Sequence, residues 1–273
     1  MPINNKHRND RIFDLVVDSY IETAEPVGSQ MISKRSKLGL SSATIRNIMV
    51  DLEAQGFLKQ PHTSAGRVPT DRGYRYWVDN LMTPQELSRE EKEKILKELA
   101  RAKTVSSLAE RMSKVISELT DSAALIYIKN LRRASLLTIM LEELLEHTAQ
   151  LDDFFEEEDG FFLEGAIRIF EQPEFQDLVR MRQLLQMFDE KEDLMQILLS
   201  NLEHQGVNVH IGSENPTHQL DNVSVVVKYC SFSNSPVGGV GVVGPTRMRY
   251  PKVVAVVGFV ADSVSQAMNN LKG

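Results

Sequence analysis

The most constraining feature of this sequence is an amphipathic helix between residues 41 and 56 that is followed at once by a hairpin. Its start can be capped by Ser41 or Ser42, and Gly56 can end it. Two short strands are predicted at 57–59 and 67–69, because a segment rich in Pro, Thr, Ser and Gly separates them. The apolar stripe that defines the helix consists of Ile45, Ile48, Met49 and Leu52.

Two helices are predicted before this segment and one after it. Apolar residues at helical spacing indicate a first helix from about Asn9 to Glu22. Ser29 can cap a short second helix, and Thr70 can cap a later helix that contains Trp77. The order helix, helix, helix, hairpin, helix is typical of a winged helix-turn-helix, in which the later helix of the pair enters the major groove.

The distribution of charge favours the same region as an anion-binding surface. The formal net charge of the chain is −7. Residues 1–80 hold 11 Lys and Arg against 9 Asp and Glu, whereas residues 81–273 hold 20 against 29. Within 28–77 there are eight basic and three acidic residues. A negative average over the chain can therefore hide a local positive field.

The polar residues of this region are candidates for DNA contact, although an ordinary capped helix with an exposed Arg is the alternative. Arg suits guanine O6 and N7, Asn suits adenine N6 and N7, and hydroxyls can contact bases or phosphates. A Gly-containing hairpin tip with basic or polar atoms can approach a backbone or minor groove. The predicted DNA-binding residues are Ser41, Ser42, Thr44, Arg46, Asn47, Lys34, Arg35, His62, Thr63, Ser64 and Arg67.

Other motifs point to no catalysis. His62 has no second His or carboxylate at ligand spacing, so a metal site is not predicted. The Gly-rich run 238–244 lacks the Lys-Ser/Thr of a phosphate-binding loop and is predicted as strand and turn. Arg247 and Arg249 can bind an anion or pair with acids nearby. We expect no cofactor and no enzyme activity, since Gly-x-Ser-x-Gly is also absent.

The cellular setting is predicted from cysteine usage and hydropathy. The single Cys230 excludes an internal disulfide, and the first thirty residues lack the apolar core of a signal peptide. The longest apolar run, 253–260, is too short to span a bilayer. We expect a cytoplasmic protein that does not cross a membrane.

The rest of the chain is predicted to be α+β. Periodicity between 95 and 119 indicates a connecting helix, and the segment 135–145 can be helix or strand. Between 142 and 164 there are ten acids and no Lys or Arg, which indicates a solvated face or an acidic interaction surface. Strands are predicted at 123–128, 207–211, 223–229 and 237–243, and helices at 175–203 and from about 252 to 271.

Several ordered motifs carry a resemblance to a known family. The segments ETAEPVGS (22–29), SSATIRN (41–47), QPHTSAGRVPT (60–70) and GYRYWVD (73–79) resemble the N-terminal domain of the bacterial heat-inducible transcription repressor HrcA. The segments EQPEF (171–175), IGSENP (211–216) and GVVGPTRM (241–248) are similar to later parts of that family.

The resemblance implies a winged-helix DNA-binding domain over 1–82, a connecting helix over 83–120 and a GAF-like α/β domain over 121–273. It also implies an inserted dimerisation segment, here around 136–165. Between Leu125 and Gly165 the chain is tens of residues shorter than the family pattern. Part of the GAF-like sheet or of the inserted segment is therefore expected to be reduced, and the usual dimer contact does not follow from the resemblance.

The function that the resemblance implies is repression of heat-shock (chaperone) operons. The partners would be double-stranded operator DNA with an inverted repeat and a GroEL-type chaperonin that promotes the DNA-competent form. Two alternatives are a small-molecule-sensing regulator that uses its GAF-like domain and a winged helix that contacts only protein. Salt-sensitive, specific duplex binding without a metabolite separates the three.

An inverted repeat also implies a homodimer, because each chain has one winged helix. We favour a dimer surface on the connecting helix, with residues 136–162 as the other surface. Packing of the same helix onto its own GAF-like domain is the competing explanation. The apolar stripe in question consists of Leu99, Leu108, Met112, Val115 and Leu119.

Overall fold

The computed structural model describes residues 5–129, 160–189, 206–215, 221–232 and 235–270. The N-terminal part has the predicted order of helix, helix, helix, hairpin and helix. Strands β1 and β2 are antiparallel, with Leu58 opposite Pro69. The elements are α1 (Asn5–Thr23), α2 (Ser29–Arg35), α3 (Ser42–Ala54), β1 (Leu58–Lys59), β2 (Val68–Pro69) and α4 (Asp71–Asn80).

Local capping signals set the bounds of these helices, largely as the sequence predicts. The Ser41 hydroxyl accepts a hydrogen bond from the Thr44 amide at 3.1 Å, and Gly56, with φ of +78°, follows the end of α3. Thr70 caps α4 in the same way. Ser29 is wrongly predicted as a cap, since it is the first residue of α2 and Gly28 precedes it without a side-chain bond.

The apolar faces of α1, α3 and α4 meet in one core. The predicted stripe of α3 is buried, and Trp77 of α4 is 2% exposed. The Trp77 indole donates to Asp14 Oδ1 at 2.9 Å, and the Tyr76 hydroxyl donates to Asp10 Oδ1 at 2.9 Å. These bonds let aromatic side chains with polar atoms pack against α1 without leaving a buried donor unsatisfied.

The predicted connecting helix is wrong in one respect, because it is two helices, α5 (Arg89–Ala100) and α6 (Val105–Thr120). A capping box starts each of them, formed by Ser88 with Glu91 and by Thr104 with Ser107. Such boxes satisfy the free amides of a helix start, so a new helix begins at residue 105.

The stripe that we favoured as a dimer surface lies in the core of the chain itself. In α6, Met112 is fully buried and Val115 is 3% exposed. Both residues belong to the core cluster that also contains Ile126 of the sheet and Val257 of the last helix. The competing explanation, packing onto the chain's own C-terminal part, is confirmed.

The C-terminal part is built on an antiparallel sheet with the order β4-β3-β7-β6-β5. Its strands are β3 (Ala123–Ile128), β4 (Gly160–Glu164), β5 (Asn208–Ile211), β6 (Val223–Phe232) and β7 (Ser235–Pro245). The helices that accompany it are α7 (Ala166–Phe170), α8 (Leu178–Asp189) and α9 (Tyr250–Asn270). The chain is therefore a mixed helix and sheet protein, as predicted.

Alternate residues of the interior strand β3 pack on the two faces of the sheet. Ala124 and Ile126 join the core cluster with α6 and α9, whereas Ala123 and Leu125 join a second cluster with α7 and α8. This follows from the two-residue period of a strand. It explains why 123–128 has no polar residue except Tyr127, since both faces are covered.

The Gly-rich run lies in β7, where the predicted strand is confirmed. A Cβ added at Gly238 would lie 2.2 Å from the Tyr127 carbonyl oxygen of β3. The two backbones therefore approach too closely for any side chain at this position. The segment 135–145 and the acids between 142 and 159 lie outside the described residues, and residues 160–164 form β4.

Helix α4 connects the N-terminal part to the sheet. Asp71 Oδ2 accepts from the Ser213 amide at 3.0 Å, and Arg75 Nε donates to Glu214 Oε1 at 2.8 Å. The Tyr250 ring of α9 packs at 5.8 Å from the Tyr74 ring and at 6.4 Å from the Trp77 ring. One face of α4 is thus committed to contacts within the chain.

Candidate nucleic-acid interface

Three of the exposed side chains of α3 are polar, Arg46, Asn47 and Asp51. Arg46 and Asn47 are exposed, and within the described residues neither has an ion pair or a side-chain hydrogen bond. The adjacent positions Ile45 and Ile48 are buried, which fixes the rotation of the helix about its axis. The predicted base-contacting pair therefore lies on the free side of α3.

The apolar residues that flank Arg46 and Asn47 on this face were missed by the sequence analysis. Ala43 lies three residues before Arg46, Val50 lies three residues after Asn47, and both are exposed. Both are apolar, so a search for polar side chains passes over them. The hydrophobic stripe itself was the signal that could have found them, since it leaves 43, 46, 47 and 50 on the opposite side.

The hydroxyls at the start of α3 are partly occupied by capping. The Ser41 and Thr44 hydroxyls lie 2.9 Å apart and share a hydrogen bond, in addition to the cap from Ser41 to the Thr44 amide. Ser42 and Thr44 are half-buried, while Ser41 is exposed. Ser41 and Thr44 therefore shape the first turn of α3.

The two predicted basic residues of α2 differ in how free they are. Arg35 donates to both carboxylate oxygens of Glu22, at 2.7 and 3.2 Å, and to the Ser19 hydroxyl at 3.1 Å. The hydrogen bond from Arg35 also lowers the pKa of Glu22. Lys34 is exposed and has no ion pair in the part of the chain that the structure describes.

The hairpin tip exposes the three predicted wing residues, His62, Thr63 and Ser64. The Ala65 amide donates to the His62 carbonyl at 2.9 Å and closes the turn. The Gln60 side-chain amide donates to the Thr63 and Ala65 carbonyls at 2.9 and 3.0 Å. Gln60 thus holds the tip in shape, a role that no sequence signal indicated.

Arg67 lies at the base of the wing and is tied to α3. Its Nε donates to Glu53 Oε2 at 2.9 Å, and its side chain is only 16% exposed. Its backbone exchanges two hydrogen bonds of 2.9 Å with Val27. A Cβ at Gly66 would lie 2.4 Å from the Val27 carbonyl oxygen, so this close approach needs glycine. Arg67 orients the wing and is not free to bind a phosphate in this arrangement.

The basic residues of the segment 28–77 fall into two groups, those that form an ion pair or a ring contact within the chain and those that do not. Arg35, Arg67 and Arg75 form ion pairs within the chain. The Arg72 guanidinium lies 5.4 Å from the centre of the Phe57 ring. Within the described residues, the basic side chains of this window that form no ion pair and no ring contact are Lys34, Lys37, Arg46 and Lys59.

Of the two anion candidates outside this region, Arg247 and Arg249, the first is also paired within the chain. It forms an ion pair with Glu174 and donates to Gln172 Oε1 at 2.9 Å and to the Ile21 carbonyl at 3.2 Å. The second possibility stated for it, pairing with nearby acids, is confirmed. Arg247 fastens the end of α1 to the C-terminal part.

The described residues show neither a metal-binding group nor, beside α6 and α7, a cleft of uniform charge. They contain no group of three or more His, Cys, Asp and Glu that could hold a metal ion. A cleft of about 290 Å³ beside α6 and α7 mixes Lys114 and Arg168 with Glu164 and Glu171, and Arg168 pairs with Asp121 at 2.9 Å. Among the helices that the structure describes, none is long and apolar enough to span a membrane.

Comparison with known proteins shows which family this chain belongs to. The family model described as HrcA protein C terminal domain matches residues 78–254. The chain is 33% identical to the heat-inducible transcription repressor HrcA of Pelotomaculum thermopropionicum, with 97% of each chain covered. It is 34% identical to the protein of that name from Carboxydothermus hydrogenoformans, with 96% of this chain and 98% of the relative covered. The chain belongs to the HrcA family.

HrcA relatives are longer than this chain within the aligned region. The alignments with the proteins from Geobacter sulfurreducens and Pelotomaculum thermopropionicum extend over 333 and 337 residues, whereas this chain has 273. At least 60 aligned positions of these HrcA proteins therefore have no counterpart here. Our prediction that the missing residues lie between Leu125 and Gly165 remains a prediction.

A solved structure also shares the fold of this HrcA chain. The crystal structure of a hypothetical protein matches it with a TM-score of 0.70 at 20% identity and covers 98% of each chain. This likeness supports the arrangement of helices and sheet described above.

Proposed function

We propose that this chain is a DNA-binding repressor of heat-shock operons that reads its operator with the outward face of α3. The observation that carries the proposal is that Arg46 and Asn47 stand free on this face, beside a hairpin with an exposed polar tip. Curated family members bear the name heat-inducible transcription repressor, which supports the same function.

The proposed contacts fall into two groups. Arg46 contacts guanine O6 and N7, and Asn47 contacts adenine N6 and N7, because these side chains match those base edges. The remaining contacts position the protein on the phosphates and in the adjacent groove. They come from Ser41, Ser42, Thr44, Lys34, His62, Thr63 and Ser64.

Arg35 and Arg67 keep a place in the proposed site as residues that position others. Arg35 holds α2 against α1 through Glu22, and Arg67 holds the wing against α3 through Glu53. Either Arg contacts a phosphate only if its carboxylate partner is released.

The active species in this proposal is a homodimer on an inverted-repeat operator. Each chain contributes one winged helix, and two equivalent half-sites require a two-fold symmetric protein. The α6 stripe is buried within the chain, so the dimer contact has to use another surface. The remaining predicted surface is around 136–162, most of which lies outside the described residues.

The response to heat is proposed to depend on a GroEL-type chaperonin. The central pair of the sheet joins residues 123–128 to 238–243, which are more than a hundred residues apart in the chain. Pairing over such separations slows folding and exposes strand edges in the meantime. A chain with this topology fits a requirement for chaperonin, and unfolded protein that occupies the chaperonin on heating would relieve repression.

The deciding experiment is a footprint of the purified chain on promoter fragments at several salt concentrations, with and without GroEL. We expect protection of an inverted repeat, with affinity that falls steeply as salt rises. Arg46→Ala should weaken operator binding by about 1–3 kcal/mol and relax base preference. The absence of sequence-specific protection under all these conditions would contradict the proposal.

Two companion measurements test the partners. Sedimentation with an operator that carries one or both half-sites decides the dimer, because a monomer that binds both duplexes equally would exclude it. Refolding with and without GroEL decides the chaperonin requirement. Equal yields of DNA-binding protein in the two reactions would contradict a requirement for chaperonin. In the cell, we infer a cytoplasmic location, where operator DNA is accessible.

A further inference from the structure

The outward face of α3 carries apolar side chains that the proposed hydrogen bonds leave unused. Ala43, Arg46, Asn47 and Val50 share one stripe, since their spacing is i, i+3, i+4 and i+7. Val50 is 46% exposed. The other exposed large apolar residues in the described part of the chain all lie beyond residue 82, at Leu96, Ile167, Leu178, Val179 and Leu185.

The position of Val50, more than its exposure, calls for an explanation. Single exposed apolar residues are common on protein surfaces. At an exposed helical position, however, Val is a weaker helix former than Ala, and its side chain is held in one preferred rotamer. Val50 therefore presents two methyl groups in a fixed direction, one turn beyond Arg46 and Asn47.

We propose that Val50, with Ala43 at the other end of the stripe, contacts the 5-methyl groups of thymines in the operator. This inference rests on the proposed function, because it requires α3 to enter the major groove. The thymine methyl is the apolar group that a base pair presents in that groove. Apolar side chains of a groove-reading helix match it, as Arg matches guanine.

The spacing of the stripe supports the assignment. Seven residues of α-helix span about 10 Å, so Ala43 and Val50 flank the positions that Arg46 and Asn47 occupy. The homeodomain also reads the major groove with four residues at i, i+3, i+4 and i+7 of one helix. The same face here offers one guanidinium and one amide between two apolar ends.

The contact also predicts an order of preference among pyrimidines. Thymine should bind best, because its methyl group is removed from water against Val50. Uracil lacks the methyl but keeps the same O4 acceptor. Cytosine should bind worst, because its N4 amino group would be buried against methyl groups without an acceptor.

The test uses a duplex that the full chain enriches from a randomised pool, resynthesised with deoxyuridine in place of one thymidine at a time. This change deletes one methyl group and keeps every hydrogen-bonding atom. At one or two positions in each half-site the dissociation constant should rise about fourfold, the effect of exposing roughly one methyl group. The readout is fluorescence anisotropy at one fixed salt concentration.

Variants assign the contact to a side chain. Val50→Ala should bind the thymine duplex about fourfold more weakly and should lose the deoxyuridine penalty at one of these positions. Leu96→Ala is the matched control, since Leu96 is also 46% exposed but lies on α5. It should keep both the affinity and the penalty. Helical circular dichroism checks that each variant is folded.

The possible failures are distinguishable. If the chain binds its selected duplex specifically but never distinguishes thymine from deoxyuridine, the methyl contact is wrong and the repressor function stands. If Val50→Ala keeps every penalty of the parent chain, Val50 is not the residue that makes the contact. If no duplex is enriched from the pool, both the contact and the proposed function are wrong.

Discussion

Helices α3 and α4 belong to the same small helical core but use their arginines in opposite ways. Arg46 of α3 has no partner among the described residues, whereas Arg75 of α4 pairs with Asp79 and Glu214 and donates to the Val209 carbonyl. Both helices begin with a side-chain cap and bury one face. Only the location of the other face differs, since α4 faces the sheet and α3 faces solvent.

The comparison shows that a count of charges does not locate a binding surface. The window 28–77 holds eight basic residues, yet three of them neutralise carboxylates of the same chain. The charge left for a phosphate backbone comes from residues such as Lys34 and Arg46. In the proposed function, attraction to DNA depends on these free cations, because each neutralised phosphate releases counterions.

The largest expected effect concerns the buried side of α4. Trp77→Ala removes a side chain that is 2% exposed and that packs between α1 and the Tyr250 ring. We expect the free energy of unfolding to fall by about 3–5 kcal/mol, as measured by urea denaturation followed by circular dichroism. The free energy of unfolding of Leu96→Ala should stay within about 0.5 kcal/mol of that of the parent chain. A similar loss for both variants would mean that Trp77 is not part of the core.

Replacing each of the two arginines by Ala tests this difference between α3 and α4 directly. Arg75→Ala leaves Glu214 without its ion-pair partner at a half-buried site, although the Ile211 amide still donates to it, and should lower the free energy of unfolding by about 2 kcal/mol. Arg46→Ala should leave unfolding within about 0.5 kcal/mol of the parent chain and weaken operator binding instead. Urea denaturation gives the free energy of unfolding of each variant, and binding titrations give its affinity for the operator. If Arg75→Ala were neutral for stability, the interface between α4 and the sheet would be looser than described.

A pH-dependent effect is expected at Asp18 of α1. Burial, followed by the charges of Asp14 and Glu22, raises the pKa of Asp18 from its ordinary value of 3.8 to about 6. Between pH 4 and 6 the folded state therefore binds more protons than the unfolded state, and stability falls as the pH rises through this range. Above pH 6 the charged carboxylate destabilises the fold.

Asp18→Asn removes that charge. Because the site is partly solvated, we expect a gain of only about 1 kcal/mol in the free energy of unfolding at pH 7.5. The gain should vanish near pH 4, where the parent chain is protonated at Asp18. Urea denaturation at the two pH values measures it, and a gain that is equal at both would exclude the carboxylate as its cause.

The smallest expected effect is a difference in the salt dependence of DNA binding between variants of Lys34 and Arg35, which are neighbours in α2. Lys34→Ala should lower the slope of the logarithm of affinity against the logarithm of salt concentration by about 1, with base preference unchanged. Arg35→Ala should change that slope less, because Glu22 already neutralises the guanidinium. Equal slopes for the two variants would show that the Arg35 pair opens on DNA.

Sequence alone located the helices and the hairpin of the N-terminal part because their signals are local. Ser41, Thr70 and Gly56 act on groups within a few residues, and the stripe of α3 repeats every three or four residues. The same reasoning placed Arg46 and Asn47 on the outward face. It failed between α5 and α6, where capping boxes interrupt a continuous apolar pattern.

Only the tertiary structure decided which charged residues remain free. The glutamates that pair with Arg35, Arg67 and Arg75 lie 13, 14 and 139 residues away in the chain, at Glu22, Glu53 and Glu214, and of the named pairs only that of Arg75 with Asp79 is local. No pattern of short period links such positions, since chain folding alone brings them within the few ångströms over which an ion pair forms. The burial of Met112 and Val115 against the sheet was decided in the same way. The apolar stripe of α6 required a buried partner, but the sequence could not say whether that partner was the same chain or a second one.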